Sequence, residues 1–138
     1  IVAVRGLADV LGGEVPVSLM PFFGGLESKE GIGGTASVRG VLRNRYQGPV
    51  KVLGNAELHW RPLTFRPFSQ RIDLGLIGFL DAGRVWSDLR LEDRGGVTTS
   101  TGAGLRIIWN QVMVVRADYG VGLSEPTQGF YLEMGHAF

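Results

Sequence analysis

Residues 112–121, VMVVRADYGV, hold the pattern that decides the fold. Arg116 and Asp118 fall on one side of a period-two alternation, and the apolar or aromatic side chains fall on the other. The apolar side consists of Met113, Val115, Ala117, Tyr119 and Val121. Successive side chains of a β-strand point to opposite faces of its sheet, so this stretch predicts a strand with one apolar face and one polar face.

Five more segments sort in the same way, at residues 1–11, 51–60, 71–82, 101–109 and 130–138. Across all six, eleven charged side chains lie on one face, called here the inner face, and none on the opposite, outer face. The eleven are Arg5, Asp9, Lys51, Glu57, Arg71, Asp73, Asp81, Arg106, Arg116, Asp118 and Glu133. A membrane barrel wall requires an apolar outer face, but a soluble antiparallel sheet also alternates. The pattern alone leaves both open.

Composition limits the fold class and the kinds of ligand and membrane segment that the chain can have. A chain of 138 residues predicts one domain, and its 22 glycines with little helical periodicity favour an all-β class. A net charge of +1 gives no field suited to nucleic acid, and the absence of cysteine excludes disulfides and thiolate metal sites. No apolar run reaches the roughly 18 residues of a membrane helix, whereas a barrel strand needs only about 9 to 11.

The predicted connections alternate in length. Long loops at about residues 13–49 and 84–100 alternate with shorter connections at 61–70 and 110–111, and a medium loop follows at 122–129. Long external loops and short periplasmic turns are typical of outer-membrane barrels. Trp60, Trp109 and Phe138 would then lie outward at periplasmic strand ends and Tyr119 near the other rim, as aromatic girdles do. Bacterial barrels have no fewer than about 8 strands, so we expect the chain to be the C-terminal part of a larger barrel.

The longest connection has an alternative interpretation. Its segments EVPVSLMPFF (residues 14–23) and SVRGVLRNRY (residues 37–46) could be two additional strands, which would give eight. The second of them does not alternate cleanly, which favours a long structured loop.

Several motifs, in this order, carry a resemblance to a known family. They are Val38-Arg39-Gly40 within GGTASVRGVLRNRYQG, then GNAELHWRP (54–62), GFLDAGRVW (78–86), and the closing GAGLRIIWN, VVRADYGV and FYLEMGHAF. Together they resemble the barrel domain of the BamA/TamA superfamily, the bacterial surface antigen family of outer-membrane assembly and translocation factors. The resemblance implies the C-terminal strands of an antiparallel transmembrane barrel of the 16-stranded type.

The resemblance also implies a site. In that family the loop bearing the VRG motif folds back into the barrel, and its arginine contacts carboxylates on the inner wall. Carried over by motif, Arg39 is that arginine, and Glu57 and Asp81 are its acceptors. The alternation had already placed both carboxylates on the inner face, and a guanidinium is a rigid set of donors suited to them.

The last strand resembles the C-terminal signal of outer-membrane barrels. Its outward row is Phe130, Leu132, Met134, His136 and Phe138. His136 departs from the apolar pattern at its position. In the family this strand meets the first barrel strand in a weak seam that can open to receive a client strand by edge pairing.

No enzymatic motif was found, and no cofactor or metal is expected. Ser37, Ser69, Ser100 and Ser124 lack a histidine and acid in a recognisable arrangement, and the glycine pairs lack the strand-to-helix context of a phosphate loop.

The resemblance implies insertion or export of proteins at the outer membrane of a Gram-negative bacterium, without covalent chemistry. The expected partners are outer-membrane lipid, client outer-membrane or secreted proteins, accessory periplasmic or lipoprotein subunits, and the rest of the same barrel, with no nucleic acid. Two alternatives remain: a barrel that anchors or exports an N-terminal enzyme domain, such as a patatin-like lipase or a phosphoesterase, and a passive pore.

Overall fold

The computed structural model describes residues 1–24, 31–67, 70–87 and 96–136, with only the backbone of His136. These residues form six β-strands, namely β1 (Val2–Val10), β2 (Val50–Phe65), β3 (Ile72–Trp86), β4 (Thr98–Trp109), β5 (Met113–Gly122) and β6 (Gln128–His136). Each strand pairs antiparallel with the next, and the sheet is open, in the order β1-β2-β3-β4-β5-β6. The predicted all-β class with six antiparallel strands is therefore confirmed. Nowhere in the described ranges is there a helix long and apolar enough to cross a membrane.

The two faces of the sheet differ in a way that a soluble sheet does not. On the outer face, Trp60, Leu132 and Met134 are 63%, 65% and 71% exposed. On the inner face, Lys51 and Asp81 are fully buried. Soluble sheets bury apolar side chains and expose charges, whereas the wall of an outer-membrane barrel turns its apolar face outward. The distribution is therefore typical of a barrel wall.

Strand β2 is longer than its alternation predicted. The pairing with β3 shifts between Trp60 and Leu63, where β2 contains one extra residue. Such a bulge reverses the parity of the residues that follow it. Leu63 and Phe65 therefore lie on the outer face as exposed apolar residues, although the period-two pattern before the bulge would assign them to the inner face. The predicted connection at 61–70 shortens to residues 66–71, and that at 84–100 shortens to residues 87–97.

The hairpin between β4 and β5 is tight. Asn110 and Gln111 have positive φ angles of 48° and 62°, and the Val112 N–H donates to the Trp109 carbonyl at 3.0 Å. Two successive positive φ angles are those of a type I′ turn, whose twist matches that of an antiparallel pair.

Residues 11–49 connect β1 to β2 and are called here the inner loop, because the described parts, residues 11–24 and 31–49, fold over the inner face of the sheet. The loop contributes the buried side chains of Phe23, Ile32, Val38 and Val41, which pack with Leu53 of β2. Leu53, Ile77 and Phe79 are apolar residues of inner parity, all buried. The inner face is thus not purely polar, and it supplies part of a small core for the loop.

The alternative of two extra strands is wrong. The segments 14–23 and 37–46 form no strand, and among the described loop residues the pairing is limited to isolated bridges such as Ile32 with Tyr46. Hydrogen-bonded turns between Pro16 and Phe22 interrupt the first segment, and positive φ angles at Gly40 and Asn44 interrupt the second. A chain that reverses so often cannot present a continuous ladder of hydrogen-bonding groups.

Candidate functional site: a buried arginine on the inner face

Arg39 lies in the second half of the inner loop and is 4% exposed. Its neighbours Val38 and Val41 are buried in the loop core, at 0% and 2% exposure, and they fix the chain on either side. Gly40 has a φ of 88°, a conformation that L side chains rarely adopt. The backbone therefore turns sharply at Gly40, and the guanidinium of Arg39 points onto the sheet.

Asp81 of β3 is the principal partner of Arg39. Nε of Arg39 lies 2.8 Å from Oδ2 and Nη2 lies 2.9 Å from Oδ1, so the two groups form a bidentate pair. The backbone N–H of Arg39 also donates to Oδ2 at 3.2 Å. The Asp81 side chain is fully buried. Charge-assisted bidentate bonds of this kind are among the strongest in proteins and fix orientation as well as distance.

Three other side chains complete the surroundings of the guanidinium. Nη1 of Arg39 lies 2.7 Å from Oε1 of Glu57 on β2 and 3.6 Å from Oδ2 of Asp118 on β5. The guanidinium carbon lies 3.6 Å from the centre of the Phe79 ring, a cation–π contact. Arg39 thus contacts side chains on three different strands.

The charge of Arg39 is stable in these surroundings. Burial lowers the pKa of Arg39, but the hydrogen bonds and charges of Asp81 and Glu57 raise it by more, and the pKa lies above its ordinary value. The guanidinium therefore keeps its positive charge in the buried site.

A second layer of polar contacts joins the same region of the loop to β1 and β2. Asn55 donates from Nδ2 to Asp81 Oδ1 and to the Ser37 carbonyl, both at 2.7 Å. Arg5 of β1 donates to Asn55 Oδ1 at 2.7 Å and to the Ala36 carbonyl. The residues preceding the VRG motif are thereby held to the wall through backbone carbonyls, whatever their side chains are.

Asp118 has its own partner. Arg106 of β4 lies 2.5 and 3.0 Å from its two carboxylate oxygens. Asp118 and Arg106 therefore form an ion pair beside Arg39, and Asp118 is 1% exposed. The motif comparison pointed only to Glu57 and Asp81. The inner parity of Arg5, Asn55, Arg106 and Asp118 was the available signal for the rest of the network, but parity gives a face and not a partner.

The structure places the predicted seam residues on the other face of the sheet. Phe130, Leu132 and Met134 of β6 are outward and exposed, away from Arg39. The backbone of His136 pairs with Met113. The His136 side chain and Phe138 lie outside the described residues.

The ion pairs of Arg39 fasten the inner loop to the sheet electrostatically. An open cavity of about 600 Å³ lies beside Arg39 and is lined in part by charged groups of Arg5, Glu57, Arg116 and Glu133. Within the part of the chain that the structure describes, no three histidine or acidic side chains converge on a possible metal position.

Six antiparallel strands with an apolar outer face, and a loop held to the inner face by buried ion pairs, define the wall segment of a membrane-type β-barrel with an internal loop. The model of the Omp85 superfamily domain matches residues 23–138, which is most of the chain. The chain belongs to the Omp85 superfamily, and the predicted relation to the BamA/TamA proteins is confirmed. The superfamily is one of outer-membrane proteins associated in general with protein assembly and translocation. No curated protein and no solved structure matches the chain significantly.

Proposed function

We propose that the chain is the C-terminal wall of an outer-membrane barrel of the 16-stranded type, and that this barrel inserts or exports other proteins at the bacterial outer membrane. The observation that carries the proposal is the buried attachment of the inner loop through Arg39. A loop that crosses the inner face of the sheet and is fastened to β2, β3 and β5 would keep that wall in one shape. Membership of the Omp85 superfamily supports the assignment.

The site of action in this proposal is the edge of β6. In the open sheet β6 pairs on one side with β5, and its other backbone edge is not paired within the described residues. An unpaired strand edge is a template for another strand, and pairing across it is sequence-tolerant because the hydrogen bonds come from the backbone. A client strand would therefore add to β6 at the seam, while Arg39, Glu57 and Asp81 hold the wall and do not contact the client.

Depletion of the full-length protein tests this proposal. We expect folded resident barrels to fall in abundance, as seen by their heat-dependent migration on semi-native gels, while a soluble periplasmic protein stays constant. A plasmid copy of the wild type should restore them. If the resident barrels keep their normal levels through depletion, the assembly role is wrong.

The two alternatives predict other results in the same strain. An anchor or conduit for an enzyme domain predicts loss of one exported activity with all other barrels intact. A passive pore predicts steady conductance in planar bilayers and no loss of other barrels. Comparing barrel levels, exported proteins and conductance therefore separates the three functions.

A further inference from the structure

Three glycines form a row across the inner face of the last three strands. Gly102 of β4 pairs with Gly120 of β5, and Gly120 pairs with Gly129 of β6. On β3 the row continues with Phe79, which pairs with Gly102. Because these glycines have no side chains, other groups can approach the backbone closely along this line.

Each glycine of the row is covered by a different group. The Phe79 ring lies against Gly102. A Cβ atom on Gly120 would lie 2.8 Å from the Arg39 carbonyl carbon and from the Gly40 nitrogen, so the VRG turn rests directly on β5. A Cβ atom on Gly129 would lie 2.7 Å from Cζ of the Tyr131 ring, so this ring lies over its own strand. The row thus carries, in order, Phe79, the VRG turn and Tyr131.

The side chain of Tyr131, on β6, contacts the inner loop. The Gly40 N–H donates to the Tyr131 hydroxyl at 2.9 Å, across a sequence separation of 91 residues. Gly40 follows Arg39, whose side chain is fixed to β3 and β2. The bond therefore joins a rigidly held turn to β6, the strand at the edge of the sheet.

We propose that Tyr131 is a positioning residue that couples the inner loop to β6, so that β6 cannot move away from the loop until the bond from Gly40 breaks. The biological role of this coupling rests on the proposed function, in which β6 forms one side of the seam that opens. The coupling itself is a property of the folded protein.

Hydrogen–deuterium exchange on the full-length protein in lipid nanodiscs tests the coupling. Tyr131→Phe removes the hydroxyl and keeps the ring over Gly129. Loss of one hydrogen bond should increase local opening of β6 by about five- to tenfold, measured on peptides covering residues 129–134. Peptides from β3 covering residues 76–82 should exchange at the wild-type rate, since the contacts of Arg39 are unchanged.

Tyr119→Phe is the matched control. The Tyr119 hydroxyl bonds to Gln128 of β6 at 2.7 Å, but on the outer face and without contact to the loop. We expect β6 exchange in this variant to stay within about twofold of wild type, because a bond at an exposed position contributes little. In a Gly40→Ala background, where the turn is displaced from β5, Tyr131→Phe should add nothing further.

Three results would overturn the inference: β6 exchange at the wild-type rate in Tyr131→Phe, an equal acceleration in both tyrosine variants, or a full additional acceleration in the Gly40→Ala background. None of them depends on whether the protein inserts clients. The depletion experiment decides the proposed function separately, so failure of one can be told from failure of the other.

Discussion

Removal of Arg39 and Asp81, singly and together, tests whether the buried pair fastens the inner loop. Arg39→Ala leaves the fully buried Asp81 carboxylate with its contact to Asn55, and stranding a buried charge costs about 3–5 kcal/mol. The contact to Glu57 adds little, on the order of 0–1 kcal/mol, because Glu57 is 24% exposed and also contacts His59. We therefore expect a total near 4 kcal/mol for Arg39→Ala.

Asp81→Ala should cost somewhat less, about 3 kcal/mol, because Arg39 keeps Glu57 and has Asp118 within 3.6 Å. In the double variant no charge of the pair is left stranded. Its cost should therefore fall short of the sum of the two single costs by on the order of 2 kcal/mol, which is the coupling expected of residues in direct contact.

The measurement is urea unfolding of the full-length protein in lipid vesicles, followed by the mobility of the folded form on semi-native gels. Arg116 and Glu133 provide a control pair on the same inner face. Their side chains form an ion pair of 2.8 Å but are 32% and 41% exposed, so each alanine variant should cost no more than about 1 kcal/mol. Additive costs for Arg39 and Asp81, or costs no larger than those of the control pair, would refute the reasoning.

Three further changes have definite expected outcomes. Lys51 is fully buried and bonds to Asp9 and to two loop carbonyls. Lys51→Met should therefore lower the free energy that holds the loop to the sheet by about 1–3 kcal/mol and speed protease cleavage within residues 11–49 of the folded protein. Unchanged cleavage would contradict this. Gly40→Ala should lower the free energy of unfolding by at least about 1–2 kcal/mol, because Gly40 has a φ of 88° and contacts β5. Gly12→Ala is the control and should have little effect, because no atom lies within 4 Å of an added Cβ there. Equal effects of the two changes would show that the turn at Gly40 does not pack on β5. Leu80→Arg, on the outer face, should destabilise the protein in lipid by about 2–4 kcal/mol, and wild-type stability there would exclude contact with lipid.

The alternation of side chains was sufficient to predict the strands and their faces, because a strand with one apolar face has a period of two wherever it is regular. It failed at the bulge between Trp60 and Leu63, where one extra residue inverts the parity. The prediction also missed the core beneath the inner loop. Leu53 shares the parity of its charged neighbours Lys51 and Glu57, so a pattern read from charges alone gave no reason to expect buried apolar contacts there.

The site was predictable only in part, for a related reason. Motif resemblance pointed to Arg39 with Glu57 and Asp81, and the structure brings these three together. Tyr131 could not be found in this way, because its partner is a backbone group of the loop, the Gly40 N–H. Asn55 bonds to the Asp81 side chain, but it contacts the loop through the Ser37 carbonyl, which is again a backbone group. A backbone partner leaves no residue type in the sequence to match.

The inner loop is held to the wall by two kinds of contact, apolar packing and buried ion pairs. Its apolar core packs on Leu53 of β2, and the polar contacts of the VRG region follow on the same strand, with a hydrogen bond at Asn55 and an ion pair at Glu57. Apolar contacts are non-directional and weaken gradually, whereas the bidentate pair of Arg39 with Asp81 is lost when either group moves by an ångström or two. Breaking the pair should therefore release Arg39 from β3 while Val38 and Val41 stay packed in the loop core. Because Gly40 follows Arg39 and bonds to Tyr131, a local shift at these two residues would loosen β6 without unfolding of the loop, as the proposed opening at β6 requires.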